Sequence, residues 1–296
     1  MKVLVTGGAG YIGSHVVKAL LSQGHQLTVI DNLSTGRRSS VLGGEFVEGD
    51  IGDLALLEKV LNHGKFEACL HFAGSIVVPE SVSEPAKYYE NNTSKSLGLI
   101  DLCTKYGVKN FIFSSTAAVY GLLESGLCSE DSPVAPINPY GRSKLMTELV
   151  LEDISKAKGL KYIALRYFNV AGANVDGLLG QCTPNATHLI KIASEVATGK
   201  RSSMQVFGED YKTPDGTCVR DYIHVDDLAA AHVDALHYLR DGGESAVLNC
   251  GYGHGTSVKE VLAVVEKVTG KKLPVTTGPR REGDAPSLVA VSERIR

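Results

Sequence analysis

Three glycines, at 7, 10 and 13, stand between an apolar run and an amphipathic one in "VTGGAGYIGSHVVKALLSQGHQLTVIDN". No other stretch narrows the folding options of this chain as much. By their periods, "KVLVT" and "QLTVI" are buried strands, and the residues between them carry apolar positions at helical spacing. Gly7 and Gly10 let the backbone pass close to a pyrophosphate, the N–H groups opening the helix face its negative charge, and Gly13 lets helix approach sheet. The second strand ends in Asp31, about 20 residues past the glycines, where a carboxylate accepts hydrogen bonds from ribose hydroxyls and repels a 2′-phosphate. NAD is therefore expected over NADP; Arg37 and Arg38 are the nearby residues that argue the other way.

The same alternation continues through "ACLHFA", "NFIFSS" and "YIALRYF", with helical patterns between. It predicts an α/β chain built on a Rossmann-type, doubly wound parallel sheet. Strand ends on the carboxyl side of such a sheet are where ligands bind, which marks Asp50 and Ile51 in "EGDI" and Phe72, Ala73 and Gly74 in "HFAG". After about Asn169 the rhythm changes to Gly-, Pro- and Asn-rich loops between helices near 187–199, 226–240 and 257–269. The expected division is a dinucleotide domain over 1–168, with roughly 218–248 interleaved, and a smaller α/β C-terminal lobe over 169–217 and 249–296. The tail "PSLVAVSERIR" stops as though a helix had just begun, an expectation that the native chain continues past Arg296.

With 296 residues and 43% hydrophobic content, the chain can bury a large core. A net charge of −3 with scattered Lys and Arg excludes the basic stripe of a nucleic-acid or anionic-membrane partner. Six cysteines lie far apart without C-x-x-C, as core residues of a reducing compartment do, and nine histidines show no ligand spacing, so no metal is expected. No run of about 18 apolar residues is present and the strand begins at once after Met1, which points to the cytoplasm.

In "NPYGRSKLMTELV", Asn138 caps a helix, Pro139 suits its first position, and Tyr140 and Lys144 lie on one side at i and i+4. A phenol beside a fixed positive charge is a potential base. Its pKa of about 10 must fall about 3 units, or roughly 4 kcal/mol, for full use at neutral pH. One charge about 4 Å away supplies about 1 kcal/mol in water and about 4 at an effective dielectric near 20, so the lysine suffices only in a partly dry cleft.

Taken together, T-G-G-x-G-Y-I-G, "FSSTAAVYG", Y-x-x-x-K, "RYFNVAGA", "RDYIHVDDLA" and "RREGD" resemble the extended short-chain dehydrogenase/reductase superfamily and, within it, the UDP-glucose 4-epimerases. The likeness runs through essentially the whole chain. It implies Tyr140 as base, Lys144 on the nicotinamide ribose and Thr116 on the sugar's 4-hydroxyl. Around a tightly held NAD it implies Gly7, Gly10, Tyr11, Ile12, Gly13, Asp31, Asn32, Asp50, Ile51, Phe72, Ala73, Gly74, Asn91, Ser114 and Tyr167, besides Tyr140 and Lys144. On the UDP-sugar side it implies Asn169, His188, Leu189, Phe207, Arg220, Arg281 and Asp284. The implied activity is reversible C4 epimerisation of UDP-galactose and UDP-glucose through a 4-keto sugar, in a homodimer pairing helices near 84–106 and 139–157.

The sequence departs from that pattern at Ile76, where some relatives carry lysine, and around Asn185, where some carry two asparagines. Leu288 stands at the position resembling a gate on sugar size, which leaves other UDP-sugars open: UDP-xylose/UDP-arabinose, UDP-glucuronate and UDP-N-acetylhexosamine. Dehydration is disfavoured because Ala117 and Ala118 follow Thr116 where dehydratases carry a proton-transferring pair. A dehydrogenase releasing its reduced cofactor and a non-catalytic NAD sensor are the other readings, the latter weakened by the intact Thr116, Tyr140 and Lys144.

Overall fold

The computed structural model describes residues 1–184, 186–281 and 284–296. In chain order its elements are β1 (Lys2–Thr6), α1 (Tyr11–Ser22), β2 (Gln26–Asp31), β3 (Glu45–Glu48), α2 (Leu54–Gly64), β4 (Ala68–His71), α3 (Val78–Ser83), α4 (Pro85–Tyr88), α5 (Lys95–Lys105), β5 (Asn110–Ser114), β6 (Leu127–Cys128), α6 (Pro139–Lys158), β7 (Lys161–Tyr167) and β8 (Asn169–Ala171). They continue with α7 (Leu189–Ala197), β9 (Met204–Phe207), β10 (Val219–His224), α8 (Val225–Arg240), β11 (Ala246–Cys250), β12 (Gly255–Ser257), α9 (Val258–Thr269), β13 (Val275–Gly278) and β14 (Ser287–Ala290). A π-helical stretch, Tyr89–Ser94, joins α4 to α5.

Seven strands form one sheet in the order β11-β7-β5-β4-β1-β2-β3, every neighbouring pair parallel. Both faces are covered: Val3, Val5, Ile112 and Leu165 pack with α1 and α8 on one side, while Leu4, Ile30, Phe111 and Phe113 pack with α2 and α5 on the other. Burial on two faces is why these strands read as continuous apolar runs. The chain winds outward from β1 through β2 to β3 and then returns to β4, so a crevice opens beyond the carboxyl ends of β1 and β4.

The second lobe carries a sheet ordered β12-β10-β14-β6, with β8 paired to β10, and a parallel β9–β13 pair. An apolar cluster of α7, α9 and β9 residues, including Ala193, Met204 and Leu262, backs it. The segment expected to return at roughly 218–248 divides its membership. β10 lies in the second sheet, α8 packs under the first, and β11 extends to Cys250 as the first sheet's edge.

In the tail, Ser287–Ala290 is a strand between β10 and β6, and no helix begins before Arg296. Val289 and Ala290 are buried there, so pairing and burial in the second sheet override the weak helical pattern. No described helix is long and apolar enough to cross a membrane.

Candidate active site

The crevice is a cleft of about 800 Å³ between the lobes. Its first wall is the glycine turn. Gly7 has φ +72°, and a Cβ there would stand 2.5 Å from the Ala73 amide nitrogen, while one on Gly13 would stand 2.3 Å from the Gly7 carbonyl oxygen. Only residues without side chains let β1, β4 and α1 meet this closely. Helix α1 opens at Gly10 with no side-chain cap, so its first N–H groups are left for a ligand.

Beside the turn, the Asp31 carboxylate, 8% exposed, accepts hydrogen bonds from the Ala9 amide at 2.9 Å and the Leu33 amide at 2.8 Å. Arg37 and Arg38 stay off the cleft wall, and the Arg38 guanidinium lies 4.5 Å over the Phe46 ring. Asn32 donates to Asp50 at 2.9 Å, and Asp50 pairs with Lys95 at 2.8 Å. Burial raises the Asp50 pKa, but Lys95, the Gly52 amide and Asn32 together hold it below the usual carboxylate range. The turn, the acid and the open helix end fit a dinucleotide whose pyrophosphate would rest on α1 and whose ribose would meet Asp31.

The opposite wall comes from β5 and the start of α6. Asn138 caps α6 by accepting from the Gly141 amide at 2.9 Å, and Pro139 opens the first turn. This sets Tyr140 and Lys144, 8% and 3% exposed, toward the floor. Lys144 Nζ donates to the Ser114 carbonyl oxygen at 3.0 Å and lies 4.9 Å over the Phe113 ring. Burial pushes its pKa down to about 8, against the pull of Glu148. The Tyr140 phenol is raised by burial and lowered by a hydrogen bond with Thr116. Within the protein alone, desolvation therefore outweighs stabilisation of a phenolate. The expected activation by the lysine requires further positive charge in the cleft.

Around this pair, Tyr88 stands edge-on to Tyr140 at 6.4 Å between centroids. Asn92 accepts from the Ser75 amide at 2.7 Å and donates to Ser143 at 3.0 Å, tying the loop after β4 to α6. Ser114 and Tyr167 share a hydroxyl hydrogen bond.

The lining brings together the expected Tyr11, Ile12, Ile51, Phe72, Gly74, Asn91, Asn169, His188, Arg220 and Asp284, and also Ile76 and Leu288. Arg220 and Asp284 approach within 3.7 Å, so each supplies the other's counter-charge. Three expected residues do not line the cleft. Leu189 packs against the α7 and α9 cluster, and Arg281 stacks 4.0 Å over the Phe207 ring. Asn185 lies outside the described residues. Reading the sequence missed Ser75, Lys95 and Gln181, which do line it. A half-buried acid such as Asp50 favours a counter-ion, but no spacing rule picks Lys95 from the other lysines.

Fold and cleft together define a Rossmann-type dinucleotide-binding protein with a Tyr-Lys pair facing a second lobe. The chain belongs to the NAD dependent epimerase/dehydratase family, whose model matches residues 3–251. It is similar to a UDP-glucose 4-epimerase of Azospirillum brasilense, 56% identical over 296 residues that cover 100% of this chain and 85% of the relative. A UDP-glucose 4-epimerase of Lacticaseibacillus casei is 47% identical over 297 residues, covering 100% and 90%. Among solved structures, the UDP-glucose 4-epimerase from Brucella ovis in complex with NAD superposes with a TM-score of 0.95 at 48% identity, covering 99% of this chain and 90% of that one. The enzyme from Bifidobacterium longum in complex with NAD+ and UDP gives 0.95 at 39% identity, covering 100% and 91%.

Proposed function

We propose that this chain interconverts UDP-galactose and UDP-glucose by inverting C4, with NAD held in the cleft throughout. The observation that carries the reading is the convergence of Tyr140, Thr116 and Lys144 on one floor between the glycine turn and the second lobe. When bound, NAD supplies a reversible two-electron acceptor, whose positive ring also adds the charge that Tyr140 needs. Thr116 hydrogen-bonds the 4-hydroxyl, and Tyr140 accepts its proton as the sugar becomes a 4-ketone. Arg220 holds the diphosphate and Asp284 a ribose hydroxyl while the ketosugar turns over; the hydride held by NAD would then return to the opposite face of C4 as Tyr140 gives its proton back to O4. Lys144 orients the nicotinamide ribose and keeps positive charge beside the phenol.

Ala117 and Ala118 line the same floor and cannot transfer protons, which supports epimerisation over dehydration. Leu288 on the cleft wall is the residue that sets which sugar fits. We assign the first sheet with its helices to NAD and the second lobe to the UDP-sugar, in a cytoplasmic homodimer; exposed Leu97, Met146 and Leu149 on α5 and α6 support the pairing. The test is to incubate purified protein with UDP-galactose and no added NAD, following UDP-glucose by proton NMR beside Tyr140→Phe. Conversion by the wild type and its loss in the variant support the reading. No conversion even with NAD supplied removes it.

A further inference from the structure

One segment of the second lobe grips the dinucleotide half directly. Residues 172–181 leave β8, fold back on themselves through the Ala173–Gly180 bridge and an Asn174 amide to Leu179 carbonyl bond of 2.9 Å, and end at Gln181 on the cleft wall. The start of the segment is wedged in place. Gly172 has φ +99°, and a Cβ there would meet the His224 ring at 2.4 Å. Its carbonyl oxygen accepts from the Tyr11 hydroxyl at 2.7 Å, and Tyr11 is the first residue of α1, where the pyrophosphate would rest. About two turns further along that helix, Lys18 donates to the side chains of Asn174 and Asp176. Asn174 in turn donates to both Asp226 oxygens, at 3.2 and 3.1 Å, at the opening of α8. At the other end, Gln181 and His188 share a hydrogen bond of 2.7 Å on the substrate side of the cleft.

What holds this segment is mostly polar. Val175 and Leu178 are 98% and 64% exposed, and Leu179 is the buried apolar anchor. Elements with little apolar burial and few hydrogen bonds open at low cost, so the side-chain latch governs how often this one opens. Opening breaks the Tyr11–Gly172 contact over the start of α1 and draws Gln181 off the cleft wall in one movement.

We propose that residues 172–181 are a strap over the cofactor cleft, and that Lys18 and Asn174, which touch neither reactant, are positioning residues that set how fast NAD leaves. The inference rests on the NAD-retaining epimerase reading and adds the device that keeps the cofactor between turnovers. It also explains why the latch joins α1 to α8: both helices belong to the dinucleotide half, so the strap is clamped to the body whose ligand it retains.

The experiment uses the whole chain as purified. Bound NAD is quantified in acid extracts, and its release is timed after dilution into an NAD-degrading enzyme, for wild type, Asn174→Ala, Lys18→Met and Lys18→Arg. Losing a hydrogen bond to a charged partner should speed release about tenfold in Asn174→Ala and Lys18→Met, and Lys18→Arg should stay near wild type. With saturating NAD added, kcat in both fast variants should return to within about twofold of wild type. Unchanged release in both overturns the proposal, as does release from Lys18→Arg as fast as from Lys18→Met. A kcat that stays low at saturating NAD also overturns it, since the latch would then be shaping the catalytic floor. Wild-type protein that neither carries nor binds NAD is a different failure, because it removes the functional reading beneath.

Discussion

Lys144 and Ser114 are joined across the floor of the cleft: the ammonium, 3% exposed, donates to the backbone carbonyl oxygen at 3.0 Å. The carbonyl ends β5, so the position of the charge is set by the sheet and not by α6 alone. An ammonium this deep costs folding free energy, and the cost is tolerated where the charge serves a site.

Lys144→Met should therefore separate stability from activity. Its pKa of about 8 lies below the ordinary 10.5, so between those values the unfolded chain binds more protons and wild-type stability rises with pH. The variant should lose that rise, gain on the order of 1 kcal/mol near pH 7, and turn over far more slowly. Urea midpoints at pH 7 and 10, read beside kcat, check this; a variant less stable than wild type at pH 7 contradicts it.

Tyr140→Phe removes one oxygen from a buried ring that keeps its edge contact with Tyr88. Turnover should fall by about 10²- to 10⁴-fold with the melting temperature within a few degrees of wild type. A large fall in melting temperature would mean that the hydroxyl is structural.

Glu148 holds Arg166 in a buried pair at 2.6 Å and also accepts from Arg166 Nε at 3.0 Å, with Ser115 donating to the same carboxylate. The pair ties α6 to β7 beneath the catalytic floor. Glu148→Ala strands a buried guanidinium and should cost about 3–5 kcal/mol by denaturant unfolding, whereas breaking the exposed Lys156–Glu152 pair should leave the unfolding midpoint nearly unchanged.

Acid should unfold the protein through its buried histidines. His71, hydrogen-bonded to Thr6 at 2.6 Å and Ser96 at 2.8 Å, is pushed by burial down to about 3, and His232 to about 4. Both stay neutral when folded, so their contribution is present above pH 6.5 and is lost as pH falls below it, at up to about 2.7 kcal/mol per pH unit for the two. Among the described residues His232 Nε2 has no partner and Nδ1 has only the Leu228 carbonyl, so His232→Leu should change stability at pH 7 little and remove about half of that slope.

The cofactor preference should follow Asp31 alone. Asp31→Asn should weaken NAD binding about tenfold and narrow its advantage over NADP. Arg38→Ala should change neither, because that side chain is stacked on Phe46 away from the cleft. Dissociation constants for the two cofactors on each variant, with bound NAD first removed, decide it.

Local spacing made much of this legible in the sequence. The glycine turn, the Asn138 cap, the Tyr140–Lys144 face and the β1–β2 unit each depend on residues within a few turns of one another, so period and turn chemistry sufficed. That Phe207, Arg281 and Leu189 lie off the cleft wall was not legible, because family spacing locates a residue along the chain and says nothing of the direction its side chain takes. Phe207 and Arg281 satisfy each other by stacking, a contact between the end of β9 and the segment after β13, far apart in sequence.

The sequence by itself determined the class of fold, the dinucleotide turn and the helix carrying the Tyr-Lys pair, because each is written in contacts between near neighbours. Only the tertiary structure decided how those parts are poised. It set the direction of the Tyr140 and Lys144 pKa values, the counter-ion of Asp50, and the strap from Gly172 to Gln181 across Tyr11 and Lys18. Desolvation and latch contacts depend on which distant residues exclude water or face one another once the two lobes close, and no local pattern encodes that.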